Sequence, residues 1–260
     1  MKIAVTGKGG VGKTTLSAVL CHLYAEEGRR VIAVDADPDA NLASALGIPG
    51  ADAEKIRPIS DMADLIEERT GVRPGGIGGM YKLNPRVDDL PEGIGYKHNG
   101  ITLLTMGKIK AASSGCYCSE NVLLRSLLKH LIVERSEVVI VDMEAGIEHL
   151  TRGTAESVEA FIVVVEPGQR SMQTARTVSG MARELGIKKV FVVANKVRGA
   201  EDLEFIREKI GDLDIVGSLS FSHAVVEADM SGASPYHFSK DTVKEVRALK
   251  EKIEKGMNKA

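Results

Sequence analysis

Short runs of β-branched and other apolar residues recur along the 260-residue chain, and the intervals between most of them could hold a helix. Nearly continuous apolar runs of this kind are typical of parallel strands that are buried on both faces. The intervals contain amphipathic segments, and a glycine directly follows several of them, as it does at helix C-termini. The runs that we interpret as strands are residues 3–6, 31–35, 101–106, 138–142, 161–166, 190–195 and 215–219.

This alternation of strand and helix predicts a single α/β domain over residues 1–260, with a doubly wound, mostly parallel sheet and helices on both faces. Residues 71–100 contain two Gly-Gly pairs and three prolines and show little periodicity, so we expect a surface excursion there. Residues 241–260 carry apolar side chains at helical spacing among many lysines, which predicts a C-terminal docking helix.

The charge balance narrows the range of partners. The chain has 34 Lys and Arg against 36 Asp and Glu, so no overall positive field attracts nucleic acid or an anionic membrane. No apolar stretch approaches the roughly 20 residues that span a bilayer. Three cysteines do not make a disulfide framework and indicate a reducing compartment. We therefore expect a soluble, cytoplasmic protein that binds neither nucleic acid nor membranes.

Residues 7–14 fit the pattern G-x-x-x-x-G-K-[ST], in which glycines let backbone N–H groups turn toward phosphate oxygens. The pattern follows a predicted strand and begins a predicted helix, whose N-terminus adds partial positive charge. Lys13 is expected to reach the β- and γ-phosphates of a nucleotide, and the Thr14 hydroxyl is expected to ligate Mg²⁺. The predicted nucleotide-binding residues of this loop are Gly9, Gly10, Val11, Gly12, Lys13, Thr14 and Thr15.

Lys8 is a second cation inside this loop. Within one copy of the chain it would repel Lys13, but it could reach a phosphate bound by a neighbouring copy, as trans-acting fingers do. The plainer interpretation is a solvated surface lysine. The sequence K-G-G-V-G-K-T-T resembles the deviant Walker A box of the MinD, ParA and nitrogenase iron protein class. That resemblance implies a homodimer that encloses two nucleotides, with Lys8 crossing the interface.

Carboxylates end two of the predicted strands. By the same resemblance, Asp37 is the switch I aspartate that orients the water attacking the γ-phosphate, although an aspartate here could equally cap a turn or helix. Asp142 ends an apolar strand in the Walker B arrangement, which predicts a Mg²⁺ ligand that acts through water. Gly146 is then the expected switch II glycine, close to the γ-phosphate.

Asn195 and Lys196 follow another predicted strand and resemble a base-contacting Asn-Lys pair. In guanine-selective proteins an Asp stands two residues later, whereas this chain has Arg198, which can only donate hydrogen bonds. The sequence therefore favours ATP, with Asn195 at the amino edge of adenine. The alternative is that Asn195 only connects the strand to the loop.

Cys116 and Cys118 lie in a Gly- and Ser-containing stretch before an amphipathic segment. Two thiolates cannot complete a tetrahedral site of four sulfur ligands. If the dimer that Lys8 implies places this stretch near its two-fold axis, two copies together would supply four ligands for Ni²⁺ or Zn²⁺. Two unrelated thiols in a loop are the alternative.

Taken together, the motifs resemble the CooC-type nickel-insertion ATPases that mature carbon monoxide dehydrogenase. The resemblance implies a nucleotide-dependent homodimer that holds Ni²⁺ or Zn²⁺ at Cys116 and Cys118 and delivers nickel to that client enzyme. The motifs that carry it are residues 7–15, 34–39, 106–110, 115–118, 145–155 and 195–198.

Three other functions remain open on the sequence. Acetyl-CoA synthase, another nickel enzyme, is an alternative client. A positioning ATPase like MinD or ParA would need a membrane-binding tail or a basic face for DNA, and neither is evident. An electron-transfer ATPase like the nitrogenase iron protein would need two cysteines far apart in sequence to share one iron–sulfur cluster between subunits, whereas Cys116 and Cys118 are in one stretch.

Overall fold

The structure is a computed structural model that describes residues 1–75, 82–107, 119–146 and 150–258. Its strands are β1 (Lys2–Thr6), β2 (Val31–Ala36), β3 (Tyr96–His98), β4 (Ile101–Thr105), β5 (Val138–Met143), β6 (Ala160–Val165), β7 (Val190–Val197) and β8 (Asp214–Ser220). These described strands form one sheet in the order β3-β4-β2-β5-β1-β6-β7-β8. All neighbouring pairs are parallel except β3 and β4. The expected doubly wound, mostly parallel α/β fold is confirmed.

Helices cover both faces of the sheet. They are α1 (Lys13–Glu26), α2 (Leu42–Ala45), α3 (Gly50–Ala53), α4 (Ala63–Thr70), α5 (Leu90–Ile94), α6 (Ser119–Val133), α7 (Arg152–Ala155), α8 (Gln169–Glu184), α9 (Ala200–Ile210), α10 (His223–Met230), α11 (Pro235–Phe238) and α12 (Lys240–Asn258). The side chains of α1 and α12 share a core with one face, and those of α4, α6, α8 and α9 share a core with the other.

Successive residues of each central strand point into different cores, because strand side chains alternate between the two faces. In β5, Val139 and Val141 belong to the core under α6 and α8, while Val138 and Ile140 belong to the core under α1 and α12. All six residues of β5 are buried. Burial on both faces explains why the strands are uninterrupted apolar runs in the sequence.

The segment 71–100 contains more regular structure than its sequence suggested. Its last residues form α5 and then β3, which pairs antiparallel with β4 through Tyr96 opposite Leu103 and His98 opposite Ile101. Asn99 and Gly100 connect the two strands, both with positive φ (47° and 78°). This is the geometry of a two-residue hairpin turn, for which Asn-Gly is the preferred sequence. The hairpin therefore extends the sheet by an edge strand.

At the other end of the chain, α12 lies against α1 and β8. Val246, Leu249 and Ile253 are its buried apolar residues and join the core beneath it. Within the described residues, we find no helix with the length and apolar character needed to cross a bilayer.

Candidate functional site

The loop between β1 and α1 passes very close to the ends of two neighbouring strands. Gly7 has φ +148°, and a Cβ atom there would lie 2.3 Å from the carbonyl oxygen of Val164 in β6. Gly12 has φ +94°, and a Cβ atom there would lie 2.2 Å from Nδ2 of Asn195 in β7. Both positions therefore require glycine. The result is a loop held at the carboxyl edge of the sheet, directly before the N-terminus of α1.

A cavity of about 700 Å³ opens in front of this loop, within the size range of small-molecule sites. It is bounded by the loop, by the segments that follow β2 and β5, and by α10 and α11. Val11 and Asn195 are not among its lining residues, and the side chain of Val11, a residue of the loop itself, is fully buried. The lining residues that the sequence singled out are Gly9, Gly10, Gly12, Lys13, Thr14, Thr15, Asp37 and Lys196.

Asp142 provides a buried carboxylate oxygen beside the loop. The residue is 1% exposed, and the Ser17 hydroxyl donates a 3.2 Å hydrogen bond to its Oδ1. Its Oδ2 has no hydrogen-bond partner among the described residues. Burial raises the pKa of Asp142 to about 6, against the opposing effects of the Thr14 hydroxyl and the Lys13 charge. A buried, unpartnered carboxylate oxygen next to a threonine hydroxyl is a donor set that fits Mg²⁺.

A second buried carboxylate fixes the segment after β2. Asp35 pairs with Asp142 in the register of β2 and β5 and accepts hydrogen bonds from the backbone N–H groups of Leu42 (2.9 Å) and Asp37 (3.3 Å). Burial raises the pKa of Asp35 to about 7. The loop so fixed places Oδ2 of Asp37 3.8 Å from Nζ of Lys13. Asp35 thus fixes the segment that carries Asp37. The sequence contains no signal for this role except that Asp35 lies in an Asp-Ala-Asp run.

Hydrogen bonds connect the segment after β5 to the end of β1. The Thr6 hydroxyl donates to the carbonyl oxygens of Glu144 (2.6 Å) and Gly146 (3.5 Å). Glu144 and Ala145 line the cavity, and Gly146 is buried behind them. The segment that contains the expected switch II glycine therefore borders the cavity, although Gly146 itself is not a lining residue.

Asn195 connects β7 to the phosphate loop by hydrogen bonds. The sequence left two roles open for this residue, a contact with adenine and a connection between strand and loop, and the structure shows the connection. Its Nδ2 donates to the carbonyl oxygen of Val11 (2.7 Å), and its Oδ1 accepts from the backbone N–H of Lys196 (2.8 Å). Arg198 lies with its guanidinium carbon 5.4 Å from the centre of the Phe221 ring, a cation–π arrangement.

Glu166, which follows β6, forms ion pairs with two lysines that belong to different sequence motifs. Its Oε1 lies 3.4 Å from Nζ of Lys8 and its Oε2 lies 3.3 Å from Nζ of Lys196. The Lys196 ammonium also donates to the carbonyl oxygen of Gly10 (2.6 Å). Sequence reasoning missed Glu166, since its only local signal is a carboxylate directly after an apolar strand.

Cys116 and Cys118 lie outside the described residues. The described chain leaves the carboxyl edge of the sheet after β4 and resumes with α6 at Ser119, directly after Cys118. Cys21 is a buried residue of α1, and burial raises the pKa of its thiol. The described residues contain no group of three or more His, Cys, Asp or Glu side chains arranged to hold a metal ion.

The chain is similar to proteins of known family. The CobQ/CobB/MinD/ParA nucleotide binding domain matches residues 2–236. The carbon monoxide dehydrogenase accessory protein CooC of Rhodospirillum rubrum is 50% identical over 239 residues, which are 92% of this chain and 90% of that protein. An uncharacterized ATP-binding protein of Methanocaldococcus jannaschii is 45% identical over 253 residues, 96% of each chain.

Solved structures agree in fold. MinD of Pyrococcus horikoshii, complexed with Mg-ADP, matches with a TM-score of 0.65 at 19% identity, over 98% of this chain and 96% of that one. A ParA family ATPase of Chlorobium tepidum matches with a TM-score of 0.69 at 17% identity, over 97% of both chains. These likenesses support the fold, and the sequence matches support the family. The chain is therefore an ATPase that belongs to the CobQ/CobB/MinD/ParA nucleotide-binding family.

Proposed function

We propose that this ATPase matures a nickel enzyme, with nickel as its cargo and carbon monoxide dehydrogenase as its client. The observation that carries the proposal is the 50% identity with a carbon monoxide dehydrogenase accessory protein over 92% of the chain, far beyond the phosphate loop. The expected cellular location is the cytoplasm. Neither nucleic acid nor a membrane has a part in this function.

In the proposed reaction, water attacks the γ-phosphate of ATP in line with the leaving group. Lys13 would contact the phosphates, Thr14 would ligate Mg²⁺, and Asp142 would help to hold the ion. Bound Mg²⁺ would supply positive charge against the phosphate oxygens. Lys13 now lies 3.8 Å from Asp37, so a γ-phosphate that pairs with Lys13 would leave the Asp37 carboxylate free to orient the water.

Other parts of the loop complete the nucleotide site. Backbone N–H groups of residues 9, 10 and 12–15 would face the phosphates, whereas the Val11 N–H donates to the carbonyl oxygen of Lys8 (3.3 Å). The Gly146 segment would approach the γ-phosphate from the end of β5. Lys196 lines the cavity and would lie on its base side, whereas Asn195 contacts the loop through the carbonyl oxygen of Val11. Adenine is the proposed base because Arg198 cannot accept the hydrogen bonds that guanine would donate.

Lys8 acts in the neighbouring copy of a nucleotide-dependent homodimer. Its side chain is 37% exposed, enough to leave its present position without disturbing the core. Lys8→Ala should lower ATP turnover about 100-fold, the usual cost of losing one donor to the transition state. It should also abolish dimerisation driven by a non-hydrolysable ATP analogue. Lys188→Ala, an exposed lysine at the opposite edge of the sheet, is the matched control. Unchanged turnover and dimerisation in Lys8→Ala would refute the trans-acting role.

Cys116 and Cys118 from two copies would bind one Ni²⁺ or Zn²⁺ ion. Metal analysis of the size-fractionated dimer should give one ion for each pair of chains, and Cys118→Ser should lose it. Cys21→Ala removes a buried thiol of α1 and should keep the metal. Loss of the metal in Cys21→Ala but not in Cys118→Ser would overturn the assignment.

The client is tested by activation. The nickel-loaded protein with ATP should activate nickel-free carbon monoxide dehydrogenase, and Lys8→Ala should not. Activation of acetyl-CoA synthase instead would identify that enzyme as the client and would still support the nickel function. Activation of neither enzyme would refute the function.

A further inference from the structure

The Glu166 carboxylate occupies the gap between two ammonium groups beside the phosphate loop. One of its oxygens faces Lys8 and the other faces Lys196, at 3.4 Å and 3.3 Å. Lys196 has a second acceptor in the carbonyl oxygen of Gly10. Among the described residues, Glu166 is the one acceptor within hydrogen-bond distance of Nζ of Lys8. Glu166 is therefore the group that restrains Lys8 within its own copy.

The two partners differ in how firmly they are held. The backbone N–H of Glu166 donates to the hydroxyl of Ser171 (3.1 Å), a buried residue in the first turn of α8. The Glu166 side chain is 25% exposed, whereas that of Lys8 is 37% exposed and belongs to the phosphate loop. An ion pair at this degree of exposure is weak and reversible. When the pair opens, Lys8 is the partner that can move.

We infer that Glu166 is a positioning residue that holds Lys8 in its own copy and must release it before Lys8 can reach the nucleotide of a second copy. The inference rests on the proposed trans-acting role of Lys8. One ammonium cannot pair with Glu166 and with a phosphate of the neighbouring copy at the same time. Each dimer that forms therefore breaks two Lys8–Glu166 pairs, while Lys196 remains available to neutralise Glu166.

Removing the carboxylate should strengthen association. In the presence of saturating non-hydrolysable ATP analogue, Glu166→Gln should lower the dimer dissociation constant about threefold to tenfold, the range expected for breaking two partly exposed ion pairs. The affinity of the separated chains for the analogue should stay within about twofold of wild type, since Lys8 does not contact the nucleotide of its own copy in this scheme. Sedimentation measures the first quantity, and titration at low protein concentration measures the second.

Two further variants separate the contact from the charge. Glu166→Asp keeps the charge but is one methylene too short to reach Lys8, so it should change the dimer dissociation constant in the same direction as Glu166→Gln. Glu184→Gln removes an exposed carboxylate at the far end of α8 and should behave as wild type. If Glu166→Asp behaves as wild type, the general field of the carboxylate is responsible and the inference is wrong.

The remaining outcomes distinguish this inference from the proposed function. An unchanged or weaker dimer in Glu166→Gln, with Lys8→Ala unable to dimerise, would overturn the role of Glu166 and leave that of Lys8 intact. Equal tightening of the dimer and of nucleotide binding by separated chains would also overturn it, since loss of negative charge beside the loop would explain both. Normal dimerisation of Lys8→Ala would overturn the proposed function and this inference with it.

Discussion

A buried histidine in α1 should make the stability of this protein sensitive to mild acid. His22 lies in the middle of α1, 4% exposed, with Nε2 3.0 Å from the carbonyl oxygen of Leu46 at the end of α2. Its ring stacks on that of Tyr236 at 4.5 Å between centroids and lies 5.3 Å from the ring of His237. Burial lowers the pKa of His22 to about 4, and the neighbouring His237 and His98 act in the same direction.

The sign and size of the effect follow from this lowered pKa. In the unfolded chain the His22 pKa returns to about 6.5, so below that pH the unfolded state binds a proton that the folded state does not. The stabilisation is fully present above pH 6.5 and is lost as the pH falls toward 4. Between about pH 8 and about pH 5, this linkage removes about 2 kcal/mol from the free energy of unfolding.

The variant that tests this value is His22→Gln, whose amide can still donate to the Leu46 carbonyl but does not titrate. Urea unfolding at about pH 8 and about pH 5 gives the pH-dependent loss for each protein, and contributions from other groups cancel in the difference. Wild type should lose about 2 kcal/mol more than His22→Gln. His223→Gln, at an exposed histidine whose ring packs on Phe221, should lose as much as wild type. Equal losses in wild type and His22→Gln would refute the reasoning.

Three further variants test the site itself. Asp142→Asn should raise the unfolding free energy of the nucleotide-free protein by about 1 kcal/mol, because it removes a buried charge, while ATP turnover falls about 100-fold; lower stability would contradict the first part. Gly12→Ala should cost about 1–3 kcal/mol in urea unfolding and abolish nucleotide binding, because its Cβ collides with the Asn195 amide and its φ is positive; a stable, binding variant would contradict this. Lys196→Met loses the bond to Gly10 and should weaken nucleotide binding about tenfold by titration, and unchanged affinity would contradict it.

Features with a local pattern were predictable from the sequence. The strand that contains Asp142 is recognisable in the sequence as a run of apolar residues, because it is buried on both faces. The phosphate loop is recognisable by its glycines and by its position before a predicted helix. The edge strand β3 was missed although its turn, Asn99-Gly100, is a strong hairpin signal. Its three residues are too few to show an alternation of polar and apolar side chains. The Gly-rich residues earlier in the same segment favoured the interpretation as an irregular surface excursion.

Contacts between distant parts of the chain could not be predicted in this way. Lys8 and Glu166 are 158 positions apart, and Val11 and Asn195 are 184 apart. Such residues meet only because β6 lies directly beside β1, and β7 beside β6. Strand runs in a sequence do not fix the order of strands in a sheet. The same limit explains why the sequence left the role of Asn195 open.

The strand order also separates two kinds of function on either side of the phosphate loop. On the β5 and β2 side, Asp142 and Asp35 are buried carboxylates. We propose that Asp142 holds Mg²⁺, and Asp35 fixes the segment that carries Asp37. On the β6 and β7 side, Glu166 and Lys196 are partly exposed and contact the loop from outside the core. Buried charges resist movement because leaving their partners is costly, whereas partly exposed ion pairs exchange partners readily. A change at Asp142 should therefore act on turnover, whereas a change at Glu166 should act on association between copies.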